Sequence, residues 1–297
     1  MERTYRKMKE DIKDTEIRII GANKKDSKKN TILILCIIGG LCIALLVGLV
    51  WHLSTREKTD IESGIYEQEE TSRQQLQPHP LRGWLCNLDT IQTTGTAIKD
   101  SIVNDIPLHI YVPLNGKPRL TLGYDIMNRC DENILFFQAA DIRADNKNIV
   151  GAFVLEGEVL SRGLSKRGYC AIIDGKIEVG VADNSPLFEE ATEKNGYFFR
   201  QFPLVDNGIL VENTIKTKSM RRGICELEGK IVIVTTDTPE SLHDFAQALV
   251  DIGTTNAIYL VGSDAIGWAC DIQGNGIEIG AWDKRQYKNV NFITWGK

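Results

Sequence analysis

Residues 257–261 read as five strand-like positions, and they run into Gly262-Ser263-Asp264. A carboxylate beside a hydroxyl and a glycine at a strand end is suited to binding a ligand or to sharing charge with a reacting centre. In open α/β sheets, ligands sit beyond the carboxyl ends of the strands. The same three residues also suit a plain solvated turn, since Asp and Ser favour turns. Other chemistry-bearing patterns are sparse. Spacing assembles no Ser/His/Asp or Cys/His constellation. No CxxC or mixed His/Cys spacing supports zinc, so neither a metal nor a cofactor is expected. The segment 274–280, GNGIEIG, has glycines but no helix after it, and reads as a hairpin rather than a phosphate loop. His243 lies beside an apolar helix face and His109 in a strand-like run, places that suit boundary and strand residues better than bases.

The elements that must position the turn are legible on either side. From Lys230 to Val261 the text reads strand, helix, strand. Thr238 is placed to cap the helix, Pro239 suits its first position and Glu240 its positive N-terminus. Leu242, Phe245, Ala246, Leu249 and Val250 form one apolar face at helical spacing, and Gly253 ends it. If the two strands are parallel, this is a βαβ unit that delivers the turn at its carboxyl end. A second helix is expected after Ser185-Pro186, with Leu187, Phe188 and Ala191 on its apolar side and Asn195-Gly196 as its stop.

The rest of the domain is β-rich. Two-residue turns are expected at Asn115-Gly116, Glu156-Gly157, Asp174-Gly175, Asn207-Gly208 and Glu228-Gly229, because Asn-Gly and Asp-Gly supply the positive φ angles that tight hairpins require and Glu-Gly is a weaker form of the same signal. Two of these hairpins resemble each other. KRGYCAIIDGKIEVGVAD (166–183) and RRGICELEGKIVIVTTD (221–237) each open on two basic residues and Gly, carry Cys at the same place and turn at acidic-Gly-Lys-Ile. Each precedes a Pro-headed helical pattern, which points to an old internal duplication.

Charge is unevenly spread along the 297 residues, whose formal net charge is −5. Residues 1–30 hold 10 Lys/Arg against 6 Asp/Glu, a basic tail. Residues 31–53, TILILCIIGGLCIALLVGLVWHL, hold no charge. As a helix this run would span roughly 34 Å, against a hydrocarbon core of about 30 Å. It ends in Trp51 and His52 without a small-residue cleavage site, so it reads as an uncleaved membrane anchor. Lys24, Lys25, Lys28 and Lys29 flank its start, which puts the N-terminus in the cytoplasm and the main domain outside, periplasmic or lumenal. Gly40, Ala44 and Gly48 fall on one face at a spacing that lets two such helices pack as a homodimer. Residues 54–80 are polar and end in Pro-His-Pro, a spacer. Residues 81–297 form the extracytoplasmic domain. Its acidic balance excludes nucleic acid as a partner, since that requires a basic footprint. Five of the seven cysteines lie outside the membrane run, an odd number that leaves at least one thiol unpaired. The fold class expected is α/β (α+β): a β-rich domain of hairpins with a few packed helices, preceded by one transmembrane helix.

The order of parts from FPLVDNGILVEN (202–213) through RRGIC (221–225) to TPESLHDFAQALVDIGTTNAIYLVGSD (238–264) resembles the phosphodiester glycosidase domain family. The likeness covers roughly residues 133–297. Arg221, heading its hairpin, matches the family's arginine, and Asn207-Gly208 keeps the family's turn. Val261 stands where the family has an aspartate, and AADIRADN (139–146) stands where it has an Asn-Gly-Gly loop. For the anchored domain, the resemblance implies a hydrolase that cleaves a sugar-phosphodiester or related glycosidic linkage in envelope glycans, with a carbohydrate or sugar-phosphate as substrate. That chemistry needs a cation fork on the phosphate and a carboxylate near the developing oxocarbenium ion. On this reading Asp264, Arg221 and Asp141 are the catalytic candidates. Arg143, Asp206, Asn207, Arg222, Ser263 and Gly262 are the substrate-binding ones. The alternative is a glycan-binding or scaffolding domain that has the fold without the chemistry.

Overall fold

The computed structural model describes residues 81–282 and 288–297. The basic tail, the anchor run and the spacer lie outside the described residues, and no helix among those described is long and apolar enough to cross a membrane.

The described chain opens on helix α1 (Leu81–Asn87), which buries Leu81 and Leu85. The strands follow as β1 (Gly95–Val103), β2 (Ile106–Leu114), β3 (Lys117–Leu122), β4 (Asn133–Gln138), β5 (Ala152–Leu155), β6 (Glu158–Arg162), β7 (Gly168–Ile173), β8 (Lys176–Val181), β9 (Tyr197–Gln201), β10 (Pro203–Asp206), β11 (Ile209–Leu210), β12 (Arg222–Leu227), β13 (Lys230–Thr236), β14 (Thr254–Leu260), β15 (Gly267–Cys270), β16 (Gly276–Ile279) and β17 (Asn291–Gly296). Helix α2 (Leu187–Glu193) precedes β9, and helix α3 (Leu242–Asp251) precedes β14.

Three sheets result: β1-β2-β13-β12-β14-β10-β11, β16-β15-β4-β17-β3 and β6-β5-β9-β7-β8. Every strand pairing within them is antiparallel. The seven-stranded sheet is buried on both faces. One face packs Cys225, Val232, Val234 and Ala257 against Leu242, Phe245, Ala246 and Leu249 of α3. The other packs Ile224, Ile233, Ile258 and Leu260 against the two smaller sheets through residues such as Phe137, Phe153 and Phe199. The alternation of side chains along each strand makes this division, and it puts neighbouring residues on opposite faces.

The unit spanning β13, α3 and β14 departs from a simple βαβ. Both strands pair antiparallel with β12, which lies between them, so they run parallel but do not touch. Helix α3 starts later than its sequence pattern suggests. Ser241, not Thr238, is the N-cap, its hydroxyl accepting from the Asp244 N–H at 3.0 Å. The reason lies upstream: Glu240 is held in a bridge with Ser219, its N–H donating to the Ser219 carbonyl at 2.8 Å, so its backbone cannot be helical. Gly253 closes the helix with φ of 92°.

Four of the five expected turns close hairpins. Glu156-Gly157, Asp174-Gly175, Asn207-Gly208 and Glu228-Gly229 each have two consecutive positive φ angles. Asn115-Gly116 does not close a hairpin: β2 and β3 lie in different sheets, and the chain turns a corner between them. Asn104-Asp105, with φ of 52° and 62°, closes a β1–β2 hairpin that carries no glycine signal. The five described cysteines are all free thiols. Cys170 and Cys225 are fully buried, and burial pushes both thiols up.

Candidate functional site at the end of strand β14

Beyond Leu260 the chain is stitched in place by its own backbone. The Val261 N–H donates to the Gln138 carbonyl at 3.2 Å, joining the strand end to the end of β4. The Ser263 N–H donates to Met220 O at 2.9 Å, joining it to the residues before β12. The Ala281 N–H donates to Asp264 O at 3.0 Å. Gly262 is required here: a Cβ on it would lie 2.2 Å from the Met220 carbonyl oxygen. Ser263 has φ of 54°. The turn therefore holds the exposed Ser263 and Asp264 side chains on a backbone fixed from three directions.

The two arginines before β12 part company at this point. Arg221 sends its guanidinium to the α3 side. Its Nε donates to Glu240 O at 2.7 Å, Nη2 donates to Thr217 O, and the group sits 5.9 Å from the Tyr259 ring centroid. Its fork is engaged by carbonyl oxygens, and Tyr259, whose hydroxyl accepts from the Gly262 N–H at 3.2 Å, is its link to the turn. Arg222 points to the opposite face. It is 3% exposed, lies 5.5 Å from the Phe137 ring centroid and donates through Nη1 to Ala265 O. No carboxylate lies within ion-pair distance of it among the described residues. Burial lowers its pKa to about 10, against the favourable fields of Tyr111, Tyr259 and Asp264. Tyr111 neighbours it across the sheet, with its own pKa raised by burial. A desolvated guanidinium without a carboxylate partner carries the cost of its burial, and Asp264 is a carboxylate whose field reaches it.

A second polar cluster borders the same strand end. The Lys166 ammonium is 4% exposed and donates to Asp141 Oδ2 and, at 2.7 Å, to Gln201 Oε1. It also sits 4.5 Å from the Phe202 ring centroid. Burial lowers its pKa, with Asp141 opposing. Gln201 reaches on to Ala139 O at 3.4 Å, and Asn291 grips Ala140 by both its side-chain groups, so the loop bearing Asp141 is fixed beside Gln138 and Val261.

Of the residues picked from sequence, Gly262, Ser263, Asp264 and Arg222 come together, with Asp141 on the flanking cluster. Arg221 is adjacent but committed to the other face. Arg143 is not part of the group: it is exposed and forms a two-point ion pair with Asp145 at 2.9 Å. Asp206 and Asn207 belong to the opposite end of β14, where the Asn207 N–H donates to Asn256 Oδ1 at 3.1 Å. Antiparallel pairing of β10 with β14 puts them there. Nothing in the local sequence marks Gln201 or Tyr111 as site residues. The repeat offered a signal for Lys166, since it aligns with Arg221 at the head of the matching hairpin.

No protein-family model matches the chain, and no curated protein does. A solved structure shares the fold. A hypothetical protein from Synechocystis is similar at 13% identity and a TM-score of 0.50, over 68% of this chain and 62% of that one. The zebrafish N-acetylglucosamine-1-phosphodiester alpha-N-acetylglucosaminidase catalytic domain, auto-inhibited by its pro-peptide, is similar at 12% identity and a TM-score of 0.48, over 69% of this chain and 83% of that one.

Proposed function

We propose that the β14 strand end binds an anionic sugar derivative and hydrolyses its glycosidic linkage. Arg222 takes the phosphate or other anion, and Asp264 presents its carboxylate to the sugar carbon where positive charge develops. Water adds to that carbon as its bond to the phosphate oxygen breaks, and the water's proton passes to the released phosphate. Phosphate departs readily as an anion, so a single guanidinium that stabilises it carries much of the demand, and strong acid assistance to the leaving group is unnecessary. Lys166 holds Asp141 in place beside the strand end. On this reading the domain is anchored by residues 31–53, faces outside the cytoplasm and acts on envelope glycans. The observation that carries the reading is Arg222: a guanidinium 3% exposed, with one carbonyl as its hydrogen-bond acceptor and no ion-pair partner among the described residues, at the strand end that also bears Asp264.

The test is a panel of sugar-1-phosphodiesters incubated with the full-length chain, with free sugar as the readout. Asp264→Asn is expected to lower turnover about a hundredfold, the size of effect seen when one electrostatic stabiliser is removed, with the melting temperature held. Full turnover in Asp264→Asn removes the carboxylate from the mechanism. The second reading, a glycan-binding domain without turnover, is favoured by one observation: Val261 is apolar at the position where the resemblance puts an acid. Binding of the same panel with no sugar released selects it.

A further inference from the structure

The five-stranded sheet β6-β5-β9-β7-β8 has a groove on its outer face, away from the Lys166 ammonium and the strand-end turn. Alternation along β9 produces this separation: Gln201 turns inward to Lys166, and Arg200 turns outward. The groove has a volume of about 540 Å³, within the usual range for small-molecule sites. Arg200, Arg162, Phe188, Leu164, Ser185 and Glu189 line it.

We propose that this groove binds a monocarboxylate carrying an apolar body. Arg200 supplies the anchor. It is 2% exposed and donates to three main-chain carbonyls, Lys166 O and Ala182 O through Nη1 and Asp183 O through Nη2, each at 2.8 Å. Those carbonyls orient the guanidinium without neutralising it. Among the described residues its Nε–H has no acceptor, and that atom is not one of the buried unpartnered atoms sealed from solvent. Burial lowers its pKa, so an arriving anion relieves a cost already present in the empty protein. Arg162 adds a second, exposed guanidinium, 6.0 Å from the Phe188 ring centroid and without an ion pair among the described residues. Phe188 and Leu164, the latter 68% exposed, offer an apolar wall to the rest of the ligand. Glu189 limits the charge of the occupant. Two guanidinium groups against one carboxylate leave a single positive charge, which matches a carboxylate better than a phosphate dianion. Planar donors of arginine also suit a carboxylate's two oxygens.

Isothermal titration of the full-length chain with 4-phenylbutyrate tests the site, with acetate and 4-phenylbutanol as controls for charge and apolar body alone. One molecule of 4-phenylbutyrate is expected to bind per chain, at least tenfold more tightly than either control. Arg162→Glu should weaken it at least tenfold and Leu164→Ser a few-fold. Both residues are exposed, so neither change should move the melting temperature. Arg222→Met and Asp264→Asn should leave this affinity at the wild-type value, which separates the groove from the strand-end site. Absence of 4-phenylbutyrate binding, equal affinity for all three probes, undiminished binding by Arg162→Glu, or loss through Arg222→Met instead would each overturn the proposal.

Discussion

Residues 166–201 and 221–260 are two versions of one design. Each runs hairpin, helix, strand, and in each the first strand ends up between the other two: β8-β7-β9 and β13-β12-β14. The cysteines differ in register: Cys170, opposite Val179 and Phe199, lies on the face turned away from α2, whereas Cys225, opposite Val232 and Ala257, lies on the face packed against α3. The basic pair at the head differs as well. In the first unit one member, Lys166, is buried and compensated by Asp141 and Gln201, while Arg167 is exposed and pairs with Asp183 at 2.8 Å. In the second unit both arginines are buried, and Arg222 has only a carbonyl. A compensated charge holds a loop. An uncompensated one is held in a costly state. Similar scaffolds thus bury a basic side chain with partners in one unit and without a carboxylate in the other, and the neighbours decide which.

The sharpest break of this comparison is Arg222→Met. Turnover or anion binding should fall at least about a hundredfold, while the melting temperature stays level or rises by a few degrees, because a buried charge without a partner is removed. A large drop in melting temperature with binding retained would make Arg222 a second Lys166 and erase the contrast. The reciprocal change, Lys166→Met, should cost about 2 kcal/mol, lowering the melting temperature by about 4–8 °C, since it strips Asp141 and Gln201 of their shared donor. The pH dependence has a defined sign. Lys166 has a folded-state pKa below its ordinary 10.5, so its contribution to stability is complete above pH 10.5 and is lost as pH falls through the folded value. Wild type should therefore gain stability relative to Lys166→Met as pH rises toward 10.5, and parallel melting curves over that range would contradict the burial of the ammonium.

A smaller effect tests the likeness of the units themselves. Gly175 and Gly229 sit at matching turn positions with φ of 75° and 71°, and a Cβ at either would meet nothing within 4 Å. Gly175→Ala and Gly229→Ala should each cost about 1 kcal/mol from the backbone alone. Equal losses in chemical denaturation support one turn geometry in both units, and a twofold disparity breaks it. The smallest effect belongs to Arg143→Gln, which should leave both turnover and melting temperature unchanged because the Arg143–Asp145 pair is exposed. A loss of turnover in that variant would return Arg143 to the site.

Local sequence determined the hairpins at Glu156-Gly157, Asp174-Gly175, Asn207-Gly208 and Glu228-Gly229, the apolar face of α3 and the repeat, because turn torsions and side-chain periodicity depend on near neighbours. It also marked the end of β14 as a place for polar side chains. It could not place Asn115-Gly116, whose residue types suit a hairpin but whose flanking strands are claimed by different sheets. It could not part Arg221 from Arg222, since adjacent residues on a strand face opposite ways and only the packed layers say which face meets α3 and which meets Phe137. Nor could it unite Lys166 with Asp141 and Gln201, or remove Asp206 to the far end of β14. Those arrangements follow from pairing between strands distant in the chain, and tertiary structure alone decides which charges find partners.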